Sequence, residues 1–319
     1  MNVKRKRKKL FYKRIRFLFF ITLLLLTFWG VLLISGYLDT PSAFEYLDMA
    51  GEKASEQTGE QKQPQKRKQS RALAAVEKDI SGYLSEQEGR YGVYFLDLNN
   101  AEELGINHEA SFTAASTIKI PINLYLYKKI DSGLTDPGAV LVYQKDDYEE
   151  GTGKLRYSEP GGKYTIRELS RLSIVNSDNV AANMLIRYLG LADIKGYMRQ
   201  VGGIVVDDDK NTSCPRDMGL YMKLVYDLYR NKKESGKQLV DYFMNTEFND
   251  RIPAGLPSSV KVAHKIGTQV RAFNDVGIVF AAKPYILSIM SDGIDEGKAA
   301  GVIANISRKI YSYMTGKSR

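Results

Sequence analysis

Residues 17 to 38 form a run of 22 residues that contains no charged side chain. A helix of this length can cross the hydrocarbon core of a bilayer, which is about 30 Å thick. The run is longer than the apolar core of a signal peptide, and no Ala-x-Ala cleavage pattern follows it. The sequence therefore predicts an uncleaved transmembrane anchor over residues 17–38.

The net positive charge of the chain lies almost entirely before this anchor. Residues 1–16 contain nine Lys or Arg and no acid, which accounts for the whole formal charge of +9. A basic run can bind nucleic acid, but a basic run next to an apolar span is usually a topology signal, so we predict no nucleic-acid partner. By the positive-inside rule, residues 1–16 stay in the cytoplasm. The predicted location is the cell membrane, single-pass, with the C-terminal domain extracytoplasmic.

The rest of the chain divides into a spacer and one globular domain. Residues 39–71 are interpreted as a flexible spacer, because residues 50–71 are rich in Glu, Gln and Lys and poor in apolar groups. Residues 72–319 have the composition and apolar patterning of a folded domain. Within that domain the chain is long enough to form a core without disulfides.

The few cysteine and histidine residues argue against thiol or metal chemistry. Cys214 is the only cysteine and His108 and His264 are the only histidines. We interpret Cys214 as a small buried residue rather than a nucleophile. Because ligand-like spacing is absent, the sequence predicts no metal site and no cofactor.

The apolar periodicity predicts an α/β (α+β) fold. A helix pattern after residue 72 is followed by the alternating strand pattern of residues 91–98 and a turn. Helix patterns dominate the middle of the domain. Residues 260–268, 275–282 and 285–292 then form strand patterns, and a last helix covers about 295–314. We expect one antiparallel sheet of about five strands, flanked by the terminal helices, with an all-helical subdomain beside it.

Three short motifs occur in order along this domain. In the first motif, the Ser116 hydroxyl and the Lys119 amine lie on one face if residues 116–119 are helical. A hydroxyl next to an amine can be a nucleophile next to its base. A second Ser-x-x-Lys, Ser258 to Lys261, is assigned no role. The three motifs are Ser116-x-x-Lys119, Ser177-Asp178-Asn179 and Lys265-x-Gly267-Thr268.

With these motifs the chain resembles the penicillin-recognising serine hydrolases of the class A β-lactamase type. The resemblance covers about residues 72–314 and includes "SDNVAANMLI", "NTSCPRDM", "HKIGT" and "FNDVGIVF". It implies that Ser116 is the nucleophile and Lys119 its base. Lys119 then needs a lowered pKa, for which we expect burial and the neighbouring cation Lys265 to be responsible.

The resemblance also implies roles for the other motif residues. Ser177 is expected to relay a proton to the leaving nitrogen, and Lys265 to attract a substrate carboxylate. The backbone N–H groups of Ser116 and Thr268 are expected to form an oxyanion hole. The predicted substrate-binding residues are Asn179, which also supports Lys119, Gly267, Thr268 and Tyr157.

Two departures from the family pattern bear on turnover. The Glu-x-x-Leu-Asn loop of class A β-lactamases is absent, and residues 204–214 form only a short connection, "IVVDDDKNTSC". Asp207, Asp208 or Asp209 is a candidate base there, although an acidic cluster in a short connection is more often a solvated turn. Ile266 stands where the family usually has a hydroxyl residue that helps to hold the substrate carboxylate. The hydroxyl of Thr268 can substitute for it. Residues 149–150 are interpreted as a solvated loop.

The sequence therefore predicts an active-site serine hydrolase that acylates more readily than it deacylates. Its expected substrates are β-lactams or D-alanyl cell-wall peptides. Two alternatives remain open: a genuine β-lactamase that hydrolyses β-lactams and confers antibiotic resistance, and a non-catalytic cell-wall binding module. The natural substrate and the oligomeric state do not follow from the sequence.

Overall fold

A computed structural model describes residues 69–316, so the predicted basic segment, membrane anchor and nearly all of the spacer lie outside the described residues. Within residues 69–316, no helix combines the length and the apolar character that crossing a membrane requires. The first described helix begins at Arg71, and the hydroxyl of Ser70 accepts the N–H of Leu73 at 3.2 Å. The folded domain thus begins slightly before residue 72, inside the predicted spacer.

The described residues form eight α-helices and nine strands. In chain order they are α1 (Arg71–Ser85), β1 (Arg90–Asp97), β2 (Glu103–Ile106), β3 (Phe112–Thr113), α2 (Lys119–Asp131), β4 (Val140–Val142), β5 (Lys163–Thr165), α3 (Ile166–Val175), α4 (Asn179–Leu189), α5 (Leu191–Gln200), β6 (Thr212–Ser213), α6 (Pro215–Arg230), α7 (Glu234–Met244), β7 (Lys261–Gln269), β8 (Ala272–Phe280), β9 (Tyr285–Asp292) and α8 (Glu296–Thr315).

The main sheet has five strands in the order β2-β1-β9-β8-β7, and each neighbouring pair is antiparallel. The predicted α+β fold with a five-stranded antiparallel sheet is therefore confirmed. Strand β8 is buried along almost its whole length, because helices cover both faces of the sheet. The terminal helices α1 and α8 pack on one face, where Leu73, Ile80, Ile303 and Ile310 join the apolar side chains of the strands in one core.

The helical part contains two short ribbons that the sequence analysis did not predict. Strand β4 pairs with β5, and β3 pairs with β6. Each strand has only two or three residues, too few to show an alternating pattern, so the prediction of an all-helical subdomain was wrong in this respect. A capping box precedes α3, with the Thr165 hydroxyl accepting from the Glu168 backbone and the Glu168 carboxylate accepting from the Thr165 backbone.

Candidate active site

The first motif lies on a tight turn that leads directly into α2. Residues Ala115–Ile118 form one turn of 3-10 helix, and Lys119 is the first residue of α2. In a 3-10 helix, residues three apart lie one above the other. The Lys119 amine is accordingly 3.2 Å from the hydroxyl oxygen of Ser116, which is half-buried.

The backbone before Ser116 is held in an unfavourable conformation. Ala115 has φ of 48°, which costs a residue other than glycine about 1 to 2 kcal/mol. Two amides hold this segment in place: Asn274 donates to the carbonyl of Ala114 at 3.0 Å, and Asn211 donates to that of Ala115 at 3.1 Å. Strain of this kind is typical of functional sites, where the surrounding structure imposes it.

Strand β7 approaches this turn closely at Gly267. A Cβ atom on Gly267 would lie 2.8 Å from the carbonyl oxygen of Ala114 and 3.2 Å from the Cβ of Ala115. Since Cβ atoms essentially never come that close to a backbone oxygen, only glycine lets β7 pack against the turn. The residue type of Gly267 therefore sets how near the third motif lies to Ser116.

The hydrogen bonds of Lys119 orient its amine toward Ser116. Its Nζ donates to the backbone oxygen of Ser177 at 2.6 Å and to Oδ1 of Asn179 at 2.7 Å. A neutral amine has two hydrogens and one lone pair. These two acceptors use both hydrogens of neutral Lys119, which leaves the lone pair for the hydroxyl hydrogen of Ser116.

Burial lowers the pKa of Lys119 to about 8, while the negative charges of Glu149 and Asp178 oppose this shift. We expected the charge of Lys265 to lower the pKa of Lys119, but the effect runs from Lys119 to Lys265 instead. Lys265 is completely buried, and its pKa is lowered well below the usual value by burial and, secondly, by the charge of Lys119. Lys119 thus owes its lowered pKa to desolvation rather than to Lys265.

Ser177 lies between the two lysine amines. Its hydroxyl oxygen is 2.9 Å from Nζ of Lys265 and 3.4 Å from Nζ of Lys119. Ser177 has φ of 54°, again in the left-handed region, and its carbonyl also accepts from the hydroxyl of Thr152 at 2.7 Å. The second motif therefore brings a hydroxyl within hydrogen-bond distance of both amines, as a proton relay requires.

The two residues after Ser177 connect the motif to its surroundings. Asp178 is completely buried, and its carboxylate caps α4 by accepting from the N–H of Ala181. The carboxylate also accepts the backbone N–H groups of Lys154 and Leu155, at 2.6 and 2.8 Å. The amide nitrogen of Asn179 donates to the backbone oxygen of Glu150 at 2.9 Å. Asp178 thus has the helix-capping role that its residue type favours, while Asn179 contacts Lys119.

Glu149 is a site residue that the sequence analysis missed. It is exposed, as predicted for a solvated loop, but its two carboxylate oxygens accept from the side-chain amides of Asn179 at 3.3 Å and Asn183 at 2.9 Å. It also lines the cleft and raises the pKa of Lys119. Nothing in the sequence indicated this, because the acid and the amides are about 30 residues apart.

Arg251 is a second residue that sequence reasoning did not find. It is buried, and its guanidinium donates to the carbonyls of Gly267 and Asn274 and to the hydroxyl oxygen of Thr268 at 2.5 Å. Because that oxygen accepts from Arg251, the Thr268 hydroxyl hydrogen is free to point into the cleft. Thr268 is exposed and lines the cleft, whereas Ile266 is buried.

A cleft of about 580 Å³ opens over Ser116, a volume typical of small-ligand sites. Tyr157 is not among the described residues that line it; the residue is 75% exposed, and its ring packs beneath the guanidinium of Arg156. The prediction that Tyr157 binds substrate therefore has no support from the cleft. The residues from the motifs that line the cleft are Ser116, Lys119, Asn179 and Thr268.

The three aspartates of the short connection differ in position. Asp207 accepts the N–H groups of Asp209 and Lys210, which hold its pKa below the usual value, and it is not among the cleft-lining residues. Asp208 and Asp209 line the cleft, and the Asp208 carboxylate pairs with Arg199 at 2.6 Å. A carboxylate with a lowered pKa is a weak base, so Asp207 forms a turn rather than a catalytic group.

Cys214 and His264 have structural surroundings. Cys214 is completely buried, caps α6 by accepting the N–H of Asp217, and burial raises the pKa of its thiol to about 12. His264 is also buried and lies 2.9 Å from the carboxylate of Asp275. A thiol with a raised pKa is unreactive, which agrees with the interpretation of Cys214 as a buried structural residue.

The chain is similar in sequence to known β-lactamases. A sequence model of the β-lactamase enzyme family matches residues 75–314. The β-lactamase VEB-1 of Pseudomonas aeruginosa is 25% identical over 272 residues, which cover 75% of this chain and 90% of that protein. A β-lactamase of Bacillus licheniformis is 27% identical over 238 residues, which cover 67% of this chain and 75% of that protein.

Solved structures agree with the sequence comparison. The structure of PBP-A has a TM-score of 0.72 and 27% identity to this chain, and covers 78% of this chain and 99% of its own. A point mutant of PBP-A, in an acyl-enzyme complex with penicillin G, has a TM-score of 0.71 and 27% identity, and covers 76% of this chain and 97% of its own. The chain therefore belongs to the β-lactamase enzyme family, and it is a serine hydrolase of the β-lactamase and penicillin-binding type.

Proposed function

We propose that this serine hydrolase forms an acyl-enzyme at Ser116 with β-lactams or D-alanyl cell-wall peptides, and that it releases the acyl group slowly. The observation that carries the proposal is the 3.2 Å contact between the Ser116 hydroxyl and the amine of Lys119, whose pKa is lowered to about 8 by burial. At this pKa a useful fraction of the amine is neutral near physiological pH, as a general base must be.

In the acylation step, neutral Lys119 takes the hydroxyl proton of Ser116 while Oγ attacks the carbonyl carbon of the substrate. The C–O bond forms, and the carbonyl oxygen carries the negative charge until the intermediate collapses. Backbone N–H groups of Ser116 and Thr268 are the proposed donors to that oxygen, an effect of about 100 to 1000-fold per donor. Both residues line the cleft, which supports this role.

Collapse of the intermediate breaks the C–N bond, and the leaving nitrogen needs a proton. Protonated Lys119 passes its proton through the hydroxyl of Ser177, which lies 3.4 Å from Nζ of Lys119 and 2.9 Å from Nζ of Lys265. The nitrogen of the broken C–N bond receives this one proton and becomes a neutral amine, and Lys119 becomes neutral again. The balance of this step requires no external reactant, because the proton comes from Ser116 itself.

The substrate classes share an acylating carbonyl near a carboxylate. Thr268 is exposed in the cleft, and Arg251 contacts its hydroxyl oxygen from behind, which favours a negative group at that position. Lys265 is completely buried, so it acts on a bound substrate through the hydroxyl of Ser177, to which its amine donates at 2.9 Å, rather than by direct exposure. This arrangement supports the third motif as the part of the site that receives the carboxylate.

Slow deacylation follows from the acids around the cleft. The cleft-lining acids of the described chain are Glu149, Glu150, Asp208 and Asp209. Glu149 is hydrogen-bonded to two amides and Asp208 is paired with an arginine, while Glu150 and Asp209 are exposed, so none of the four is a buried, unpaired carboxylate suited to activate a water. No Glu-x-x-Leu-Asn loop supplies one. The acyl-enzyme complex known for the PBP-A mutant is compatible with a persistent adduct.

The test is intact-mass spectrometry of the domain from residue 69 onward, mixed with penicillin G and followed over time. We expect a mass increase of one penicillin per chain that is absent in Ser116→Ala and persists for many minutes. An adduct that decays rapidly with release of the hydrolysed drug would instead identify a β-lactamase. Ligand binding that Ser116→Ala leaves intact, with no adduct in either protein, would favour a cell-wall binding module.

We further propose that the enzyme is attached to the cell membrane by residues 17–38, with the catalytic domain extracytoplasmic. The support is the uncharged run of 22 residues after nine basic residues. Protease added to intact spheroplasts should digest the domain if this is correct. Protection of the domain from protease, or its recovery from the soluble fraction after cell breakage, would contradict the proposed topology.

A further inference from the structure

Lys195 is a buried lysine that the catalytic chemistry does not use. It lies on α5, is 4% exposed, and lines the same cleft as Ser116. Leu191, Ile194 and Lys195 are spaced three and four residues apart, so they present one face of α5 to the cleft. Lysine is almost never buried without a partner, so its presence on this face requires an explanation.

The amine of Lys195 has unused hydrogen-bond donors. Its Nζ donates to the carbonyl of Lys210 at 3.2 Å, and this is its one hydrogen bond among residues 69–316. An ammonium group has three N–H donors, so two remain without an acceptor in the described part of the chain. A buried donor without an acceptor costs about 1 to 3 kcal/mol, and a charged one costs more.

The acids nearest to Lys195 do not neutralise it by contact. Asp207 and Asp208 influence its charge from a distance, but the Asp207 carboxylate accepts two backbone N–H groups and Asp208 pairs with Arg199. Lys195 forms no ion pair with any residue from 69 to 316. Asp209 also lines the cleft but is exposed, where water screens its charge.

Apolar side chains line the cleft on the same side as Lys195. They come from three helices: Ile118 and Ile122 from the turn and start of α2, Ile186 from α4, and Leu191 and Ile194 from α5. An apolar wall that includes a buried amine suits a ligand with an apolar chain and a negative end, and the other lysines of the cleft are Lys119, next to Ser116, and Lys210, which is exposed. The cleft of about 580 Å³ has room for such a chain in addition to the reacting carbonyl.

We propose that Lys195 binds a carboxylate at the far end of the acyl chain that is transferred to Ser116. The substrate class is thus an acyl donor whose acyl side chain contains an aliphatic segment and ends in a carboxylate. This inference rests on the proposed acylation of Ser116 and specifies the substrate of that reaction. The carboxylate accepts hydrogen bonds from the free donors of Lys195, and the apolar walls contact the methylene groups between the two ends.

The test compares matched pairs of penicillins. The amino group of 6-aminopenicillanic acid is acylated with succinate, glutarate or adipate, and each product is compared with the same compound bearing a terminal carboxamide. Members of a pair have the same length and nearly the same shape, so they differ only in charge. Second-order rate constants for labelling of Ser116 are measured by intact-mass spectrometry.

In the wild-type protein, at one chain length the carboxylate compound should label Ser116 about tenfold or more faster than its carboxamide partner. The reason is that a charged hydrogen bond is stronger than a neutral one by about the free energy of a tenfold change in rate. Lys195→Met should reduce this ratio to about one, while Lys195→Arg, which keeps the charge, should retain most of it. Lys223→Met is the matched control: Lys223 lies on α6, pairs with Asp227 at 2.7 Å, and is outside the cleft lining. Its ratio should equal that of the wild type.

A ratio near one at every length in the wild type would overturn the inference, and so would a high ratio that persists in Lys195→Met. The wild-type comparison can overturn the inference even if Lys195→Met fails to fold, and a Lys210→Met variant that keeps the wild-type ratio assigns the effect to Lys195 rather than to the other lysine at that end of the cleft. A Ser116 adduct that forms at equal rates within each pair would leave the proposed function intact. The absence of any adduct, including with penicillin G, would overturn the proposed function and this inference together.

Discussion

The amine of Lys119 is closer to the side-chain oxygen of Asn179, at 2.7 Å, than to the hydroxyl of Ser116, at 3.2 Å. Asn179 therefore takes one hydrogen of the amine in the resting enzyme. This contact turns the lone pair of neutral Lys119 toward the serine. The reactivity of Ser116 thus depends on a residue that follows it by more than sixty positions in the chain.

Acylation of Ser116 should increase with pH and reach a plateau above about pH 8. Burial lowers the pKa of Lys119 to about 8, and only the neutral amine can take the serine proton. Below the pKa the amine is protonated and the rate falls as the pH falls. Stopped-flow labelling with a fluorescent penicillin from pH 6 to 9 measures this profile; a rate that is constant over the range would contradict Lys119 as the base.

Asn179→Asp should move the midpoint of this profile to higher pH by at least about one pH unit. The new carboxylate keeps an acceptor next to Lys119, but its negative charge stabilises the protonated amine and raises the pKa. Acylation at pH 7 should therefore be slower and should recover at pH 9. Because position 179 also faces Glu149, the double variant with Glu149→Gln serves as the control. An unchanged midpoint would show that Asn179 does not affect the charge of Lys119.

Glu149→Gln should move the midpoint in the opposite direction, to lower pH. The carboxylate of Glu149 raises the pKa of Lys119, so its neutral replacement removes a charge that favours the protonated amine. The shift should be smaller than that of Asn179→Asp, because Glu149 is exposed to solvent. Glu159→Gln, an exposed position that does not line the cleft, is the matched control and should leave the midpoint in place.

Gly267→Ala should lower both stability and acylation. The added methyl group would lie 2.8 Å from the Ala114 carbonyl, so β7 and the turn before Ser116 must move apart. Overpacking of this kind costs about 1 to 3 kcal/mol. Thermal unfolding and penicillin labelling measure the two effects. Gly301→Ala on α8, where nothing lies within 4 Å of the added Cβ, is the control and should not be destabilised. Equal melting temperatures for the two variants would contradict the close packing at Gly267.

The sequence alone was sufficient for the elements whose signals are local. The strand patterns near residues 261, 275 and 285 and the spacing of Ser116 and Lys119 each lie within one short segment, and each prediction agrees with the structure. Apolar periodicity and cap chemistry act over a few residues, so they can be read without knowledge of distant contacts. The two- and three-residue strands escaped prediction because they are too short to show any period.

Only the tertiary structure decided the properties of the site that depend on burial and on contacts between distant segments. The lowered pKa of Lys119 comes from desolvation, which exists only when the domain is packed. Packing also brings together residues that are far apart in the sequence, for which no local pattern exists. It places Arg251 behind Thr268, Glu149 next to Asn179 and Lys195 in the cleft. The same packing leaves Tyr157 outside the cleft lining. Local patterns specify which elements form, whereas the free energy of packing determines which side chains meet.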